Sequence, residues 1–118
     1  MTRHTPAQTA AKTGFSLDTL RYYEKIGLLS DIGRTTAGVR VFSDNDLEWL
    51  GVLRCLRETG MPIATMQEYA DMCRRDDDPR LRVAILEDHE QAVRAKIAEL
   101  TGQLAHLQEK IAWYQRHV

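Results

Sequence analysis

The feature that most constrains the fold is a periodicity in the last third of the chain. Apolar residues stand at Leu86, Val93, Ile97, Leu100, Leu104, Leu107, Ile111, Tyr114 and Val118, at spacings of 7, 4, 3, 4, 3, 4, 3 and 4. Steps of three and four keep these side chains on one side of a helix. They form the a and d stripe of a heptad repeat, held for more than four heptads. Asp78-Pro79 is a helix start, with Asp as cap and Pro at the first helical position. No Gly or Pro follows until Gly102, and the pattern runs through it to the C-terminus. A helix of that span is roughly 55–60 Å long.

Such a helix overshoots the head of about 75 residues that precedes it. Burying each Leu, Ile or Val contributes about 1.5–3 kcal/mol. Several left in water would outweigh the usual stability margin of a small domain. Packing on its own head is the alternative, but nothing else in the chain is long enough to cover the stripe. A homodimer through residues 79–118 is therefore expected. The heptad alone is compatible with parallel or antiparallel pairing.

Ahead of the rod, start and stop signals are dense. Thr5-Pro6-Ala7-Gln8 combines an N-cap, a Pro at the first position and a Gln three residues after the cap. It predicts a helix over about Pro6–Lys12 that stops at Gly14. Ser16, with Asp18 in the following turn, opens a second helix running to about Ile26 and ended by Gly27. Two short helices joined by a tight turn form a helix-turn-helix pattern. Ala37-Gly38 then separates Arg34-Thr35-Thr36 from the strand-prone Val39-Arg40-Val41-Phe42, which predicts a small hairpin, or wing. Ser43-Asp44-Asn45-Asp46 caps a third helix over about Asp44–Glu58, with Leu47, Leu50, Leu53 and Leu56 as core contacts. Pro62 opens a fourth, bearing Ile63, Met66 and Tyr69. The fold class is thus mostly α: a winged helix-turn-helix head, residues 1–75, on a coiled-coil dimerisation helix, residues 79–118.

Charge narrows the function. The net charge is -1, so any nucleic-acid site must be local. Residues 1–60 carry eight Lys/Arg against seven Asp/Glu, and residues 61–118 carry eight against ten. No signal peptide or membrane span is expected, and two cysteines are too few for a disulfide scaffold, so a cytoplasmic protein with reduced thiols is expected.

On the second helix, Asp18, Arg21, Tyr22 and Lys25 share one face, with Leu17, Leu20 and Tyr23 toward the other. Cations with a phenol suit guanine and phosphate in a major groove. A solvated amphipathic face would look the same. Arg34 and Arg40, one on each arm of the wing, suit a backbone or minor-groove contact, or an ordinary exposed hairpin. The three elements in this order favour DNA.

Several segments carry a resemblance. They are Ala11-Lys12-Thr13-Gly14, the run Ser16-Leu17-Asp18-Thr19-Leu20-Arg21-Tyr22-Tyr23-Glu24-Lys25-Ile26-Gly27-Leu28-Leu29, Arg34-Thr35, Gly38-Val39-Arg40-Val41-Phe42 and Asp46-Leu47. Along its whole length the chain resembles the MerR family of transcription regulators. The resemblance implies an antiparallel coiled-coil dimer on a pseudo-palindromic promoter, working with RNA polymerase. Family members often untwist an over-long promoter spacer. The DNA-contacting set expected from helix, wing and resemblance is Lys12, Thr19, Arg21, Tyr22, Tyr23, Lys25, Arg34 and Arg40. One departure stands out: the family's wing pattern Gly-Tyr-Arg-x-Tyr is here Gly38-Val39-Arg40-Val41-Phe42, so both phenols, and any phosphate contact they make, are missing.

The signal is less defined. With the sequence ending at Val118, no separate drug-binding domain is expected. With no cysteine after Cys73, a metal-responsive role is disfavoured, and neither metal nor cofactor is expected. Cys55-Leu56-Arg57-Glu58-Thr59-Gly60-Met61-Pro62, together with Glu68-Tyr69-Ala70-Asp71-Met72-Cys73-Arg74-Arg75, resembles the branch that responds to aldehydes and related electrophiles. There the cysteine matching Cys55 is the proposed sensor, and flanking Arg54 and Arg57 would favour its thiolate. A buried, inert Cys55 is the alternative, and Cys73 is a second candidate thiol. Asp76-Asp77-Asp78 reads as a solvated linker and cap. No catalytic arrangement is found, so no enzyme is expected. A coiled-coil adaptor that does not read DNA, or a metal-responsive regulator, is the alternative function.

Overall fold

The structure is a computed structural model that describes residues 2–118. The chain divides into a head reaching to Asp78 and a rod, Pro79–Val118.

The head opens with strand β1 (Arg3–His4) and helix α1 (Pro6–Thr13). The expected capping box is formed: Gln8 N–H donates to Thr5 Oγ1 (3.1 Å) and Thr5 N–H to Gln8 Oε1 (3.0 Å). Gly14 ends the helix at φ 80°, with its N–H on the Ala10 carbonyl, a left-handed conformation that favours glycine. Helix α2 (Leu17–Lys25) follows, capped by Ser16, whose Oγ accepts from the Thr19 N–H at 3.1 Å.

The wing is strand β2 (Gly33–Arg34) paired antiparallel with strand β3 (Arg40–Ser43), with Gly33 opposite Val41 and Arg34 opposite Arg40. Its turn closes through Gly38 N–H on the Thr35 carbonyl (2.9 Å) and Thr35 N–H on the Val39 carbonyl (2.8 Å). Gly38 takes φ 84°, as the tight turn requires. β1 pairs on the other side of β3, His4 opposite Phe42, so the sheet has the order β1-β3-β2. The third strand was not expected from the sequence: two residues are too short to show an alternation, and only the partner strand defines them.

Helix α3 (Asp44–Glu58) starts from a capping box between Ser43 and Asp46. Helix α4 (Ile63–Arg75) starts at Pro62 and ends at Asp76, φ 51°. Leu20 and Tyr23 from α2, Leu28 and Leu29 after it, Phe42 from β3, Leu50, Leu53 and Leu56 from α3, and Met66 and Ala70 from α4 are the buried centre. Two expectations need correction. Leu47 is only half-buried, and Leu17 is 41% exposed, so it stands at the edge of the core rather than within it.

The rod is one helix, α5 (Pro79–Arg116), which passes through Gly102 without a break. Its 38 residues correspond to about 57 Å. Ile97, Leu100, Leu104, Leu107, Ile111 and Tyr114 each leave more than half of their surface in water. The expected stripe is therefore present, on one face of a helix that buries none of its own residues. Among the described residues, no helix is long and apolar enough to cross a membrane.

Candidate nucleic-acid interface

Helix α2 owes its direction to its apolar side. Leu20 and Tyr23 are buried, and Tyr23 packs edge-on against Phe15 with ring centroids 5.3 Å apart. That anchorage leaves Asp18, Arg21, Tyr22 and Lys25 exposed on the opposite face, as the spacing predicts. Arg21 Nη1 rests on Asp18 Oδ1 at 3.3 Å, with both side chains well exposed. An exposed pair of this kind contributes about 0–1 kcal/mol, so a stronger anionic acceptor displaces it readily.

Tyr23 requires a correction. The resemblance implied that Tyr22 and Tyr23 both touch DNA, but Tyr23 is 2% exposed and Tyr22 is 50% exposed. In this fold Tyr23 is a core residue, and its hydroxyl is buried without a hydrogen-bond partner. Burial pushes its phenol above the ordinary value of 10.0. The nearby Arg57 guanidinium offsets part of that push without forming a well-shaped hydrogen bond.

The wing brings two further cations to the same side. Arg40 and Arg21 line one small cleft of about 70 Å³, together with Pro6, Leu17, Leu20 and Phe42. Arg40 is thus set beside the helix that carries Arg21, a juxtaposition that nineteen residues of sequence separation do not reveal. Arg34 Nη1 donates to the Gly38 carbonyl at 3.2 Å, bracing the turn. Arg34 Nη2 and Arg40 Nε both donate to Glu24 Oε1, at 3.2 and 2.8 Å. Glu24 was not singled out from the sequence. The available signal was its position seven residues after Leu17 and four after Leu20, on the boundary between the buried and exposed faces.

The remaining expected residues occupy the borders. Lys12 lies in the last turn of α1. Its Nζ donates to Nδ1 of His4 (3.3 Å), leaving Nε2 to donate to Asp44 Oδ1 (2.7 Å). His4 is 4% exposed and ties β1, α1 and α3 together. No local pattern in the sequence marks this role. Thr19 Oγ1 accepts from Ser16 Oγ (2.9 Å) and belongs to the cap of α2. Lys25 is exposed at its end.

The thiols lie elsewhere. Cys55, on α3, is exposed, and Cys73, on α4, is half-buried. Exposure removes the alternative of Cys55 as a buried core residue. Both flanking guanidiniums have partners other than the thiol. Arg54 donates to the Thr13 carbonyl (2.7 Å) and to Glu58 (2.8 Å), and Arg57 lies 5.9 Å from the centre of the Phe15 ring. Cys73 lines a cleft of about 210 Å³ with Leu28, Leu29, Trp49 and Arg74 among its walls.

A helix-turn-helix whose second helix turns cations outward, flanked by an arginine-bearing hairpin, defines a winged-helix DNA-binding protein. Family comparison agrees. The description "MerR HTH family regulatory protein" matches residues 5–73, and "MerR, DNA binding" matches residues 47–110. The chain belongs to the MerR family and is a DNA-binding transcription regulator of that type. An uncharacterized HTH-type transcriptional regulator of Haemophilus influenzae is 40% identical over 114 residues, covering 96% of this chain and 84% of the relative. The HTH-type transcriptional regulator AdhR of Bacillus subtilis is 34% identical over 86 residues, covering 72% of this chain and 61% of the relative. Among solved structures, HiNmlR, a MerR family regulator lacking the sensor domain and bound to promoter DNA, superposes with a TM-score of 0.87 at 39% identity, covering 98% of this chain and 92% of that one.

Proposed function

We propose that the chain acts as a homodimer on pseudo-palindromic promoter DNA. α2 enters the major groove and the wing follows the adjacent backbone. Arg21, Tyr22, Lys25, Arg34 and Arg40 are the contacts, with Lys12 and Thr19 at the border. The observation that carries this reading is the cleft that Arg21 and Arg40 both line, which brings the wing against the recognition helix. The 39% identical relative was crystallised on promoter DNA, which supports the same use here.

The dimer rests on α5. Six apolar residues from Ile97 to Tyr114, each a little over half exposed, would each gain roughly half of the 1.5–3 kcal/mol of a complete burial, and an identical helix offers the matching seam. A two-fold dimer places two copies of α2 on two half-sites. RNA polymerase is the further partner, the work is done in the cytoplasm beside the chromosome, and no catalytic step is involved. Exposed Cys55 is the effector-sensing group, reacting with small aldehydes or related electrophiles. Its accessibility to small molecules in solution supports this role.

The test uses a duplex selected by the chain from a randomised library. Arg21→Ala should weaken binding by ~1–3 kcal/mol at fixed salt if Arg21 reads a base. Wild-type affinity should fall steeply with salt as phosphate counterions are released. A flat salt dependence, or no selected sequence at all, would overturn the DNA-reading role.

A further inference from the structure

We propose that Glu24 is a positioning residue for DNA recognition: its carboxylate locks the two wing arginines against the recognition helix, so that helix and wing meet the duplex as one preformed unit. The proposal rests on the reading that α2 and the wing face DNA. A carboxylate on a DNA-reading helix needs an explanation, since an uncompensated negative charge within a Debye length of phosphates, about 8 Å at physiological salt, opposes binding. Here it is compensated twice. One oxygen, Oε1, accepts from Arg34 Nη2 at 3.2 Å and from Arg40 Nε at 2.8 Å. The Glu24 side chain is 23% exposed and Arg40 28%, so solvent screens this pair less than it screens the Arg21–Asp18 pair. Carboxylate and two guanidiniums together keep a positive charge.

The geometry leaves the arginines able to work. Arg40 spends Nε on Glu24, which leaves its terminal nitrogens to donate elsewhere. Arg34 spends Nη1 on the Gly38 carbonyl and Nη2 on Glu24, which ties the hairpin tip to the helix. Arginine chains are long, and ordering them at the moment of binding opposes association. Arginines already held by Glu24 carry less of that cost. The wing needs such a tie because its strands are short: β2 has two residues and β3 four. With Val39 and Phe42 where the wing pattern has phenols, the arginines carry a larger share of the contact.

The experiment compares affinity for the library-selected duplex with affinity for a scrambled duplex of the same composition, by fluorescence anisotropy. Glu24→Ala should lose roughly five- to tenfold on the selected duplex while holding or gaining on the scrambled one, because geometry is lost and a repelling charge removed. Glu24→Asp keeps the charge but is one methylene short, and should lose selectivity too. Glu24→Gln keeps an accepting oxygen and should stay within about twofold of wild type. In an Arg34→Ala, Arg40→Ala background, Glu24→Ala should alter the ratio by less than about twofold. The proposal is overturned if Glu24→Ala raises both affinities by one factor, if Glu24→Ala and Glu24→Asp leave the ratio unaltered, or if the loss persists without the arginines. Should Glu24→Ala lack a thermal unfolding transition, Glu24→Asp and Glu24→Gln carry the same comparison. A wild-type chain that selects no sequence would instead overturn the DNA-reading role itself.

Discussion

Arg54 donates from Nη1 to the backbone carbonyl of Thr13 at 2.7 Å, joining α3 to the end of α1 across 41 positions of sequence. The last carbonyls of a helix have no partner within it, and Arg54 supplies one at the turn of the helix-turn-helix. Thr13 is itself buried, its Oγ1 on the Thr9 carbonyl at 2.7 Å. Arg54→Ala should cost about 1 kcal/mol in urea unfolding. Gly14→Ala should cost a similar amount, about 1 kcal/mol or more, since φ there is +80° and a Cβ would lie 2.4 Å from Arg54 Nη1. The two together should cost less than the sum, because Arg54→Ala frees the space that a side chain at position 14 needs. Full additivity would show that the contact does not bind the turn.

Tyr22 and Tyr23 are neighbours with opposite exposure. Tyr22→Phe should leave stability unchanged and weaken DNA binding by about 0.5–1.5 kcal/mol, the worth of one hydrogen bond. Tyr23→Phe removes a buried hydroxyl that has no partner, so DNA affinity should hold and stability should stay level or rise by up to about 1 kcal/mol. Equal losses of affinity from both variants would return Tyr23 to the interface.

Tyr23 also predicts an alkaline effect. Burial raises its phenol above 10.0 in the folded chain. The fold therefore holds that proton more tightly than the unfolded chain does. The associated stability is fully present below about pH 10 and is lost as pH rises beyond it. Urea midpoints measured between about pH 8 and pH 11 should fall more steeply for wild type than for Tyr23→Phe. Parallel curves would remove Tyr23 as the cause.

The exposed stripe of α5 gives a prediction about assembly. Leu104→Glu places a charge among Leu100, Leu107 and Ile111, each more than half exposed in the single chain. Sedimentation should then find a monomer at concentrations where wild type is a dimer, while circular dichroism still reports a folded head. Affinity for the selected duplex should fall by more than about tenfold, since two heads no longer bind as one ligand. A persistent dimer would move the seam elsewhere.

Cys55 and Cys73 separate by substitution. After exposure to a small aldehyde, mass spectrometry should place the adduct on Cys55, and Cys55→Ser should abolish the change in transcription while leaving DNA binding intact. An intact response in Cys55→Ser, lost in Cys73→Ser, would transfer the role to the cleft beside Trp49.

Much of the fold was legible because its signals are local. Thr5 with Gln8, Ser16, Ser43 with Asp46, Gly14 and Gly38 each act within a few residues, through caps and turns. The outward set Arg21, Tyr22 and Lys25 was legible for the same reason: helix period alone assigns a face. Leu17 and Tyr23 show the limit. Periodicity gave both to the buried side, yet Leu17 is 41% exposed, because the width of the covered face depends on what packs against it. The resemblance placed Tyr23 among the DNA contacts, and Phe15 and Arg57 withdraw it.

The amino-acid sequence by itself determined the helices, their ends, the wing turn and the apolar stripe of α5, all of which depend on neighbours no more than a turn or two away. Only the tertiary structure decided that β1 joins the sheet through His4, that Arg54 closes the turn at Thr13, and that Glu24 gathers Arg34 and Arg40. Those contacts join residues 10 to 41 positions apart. Their partners are chosen by how α1, α2, α3 and the sheet pack around a common core, and no local pattern encodes that choice.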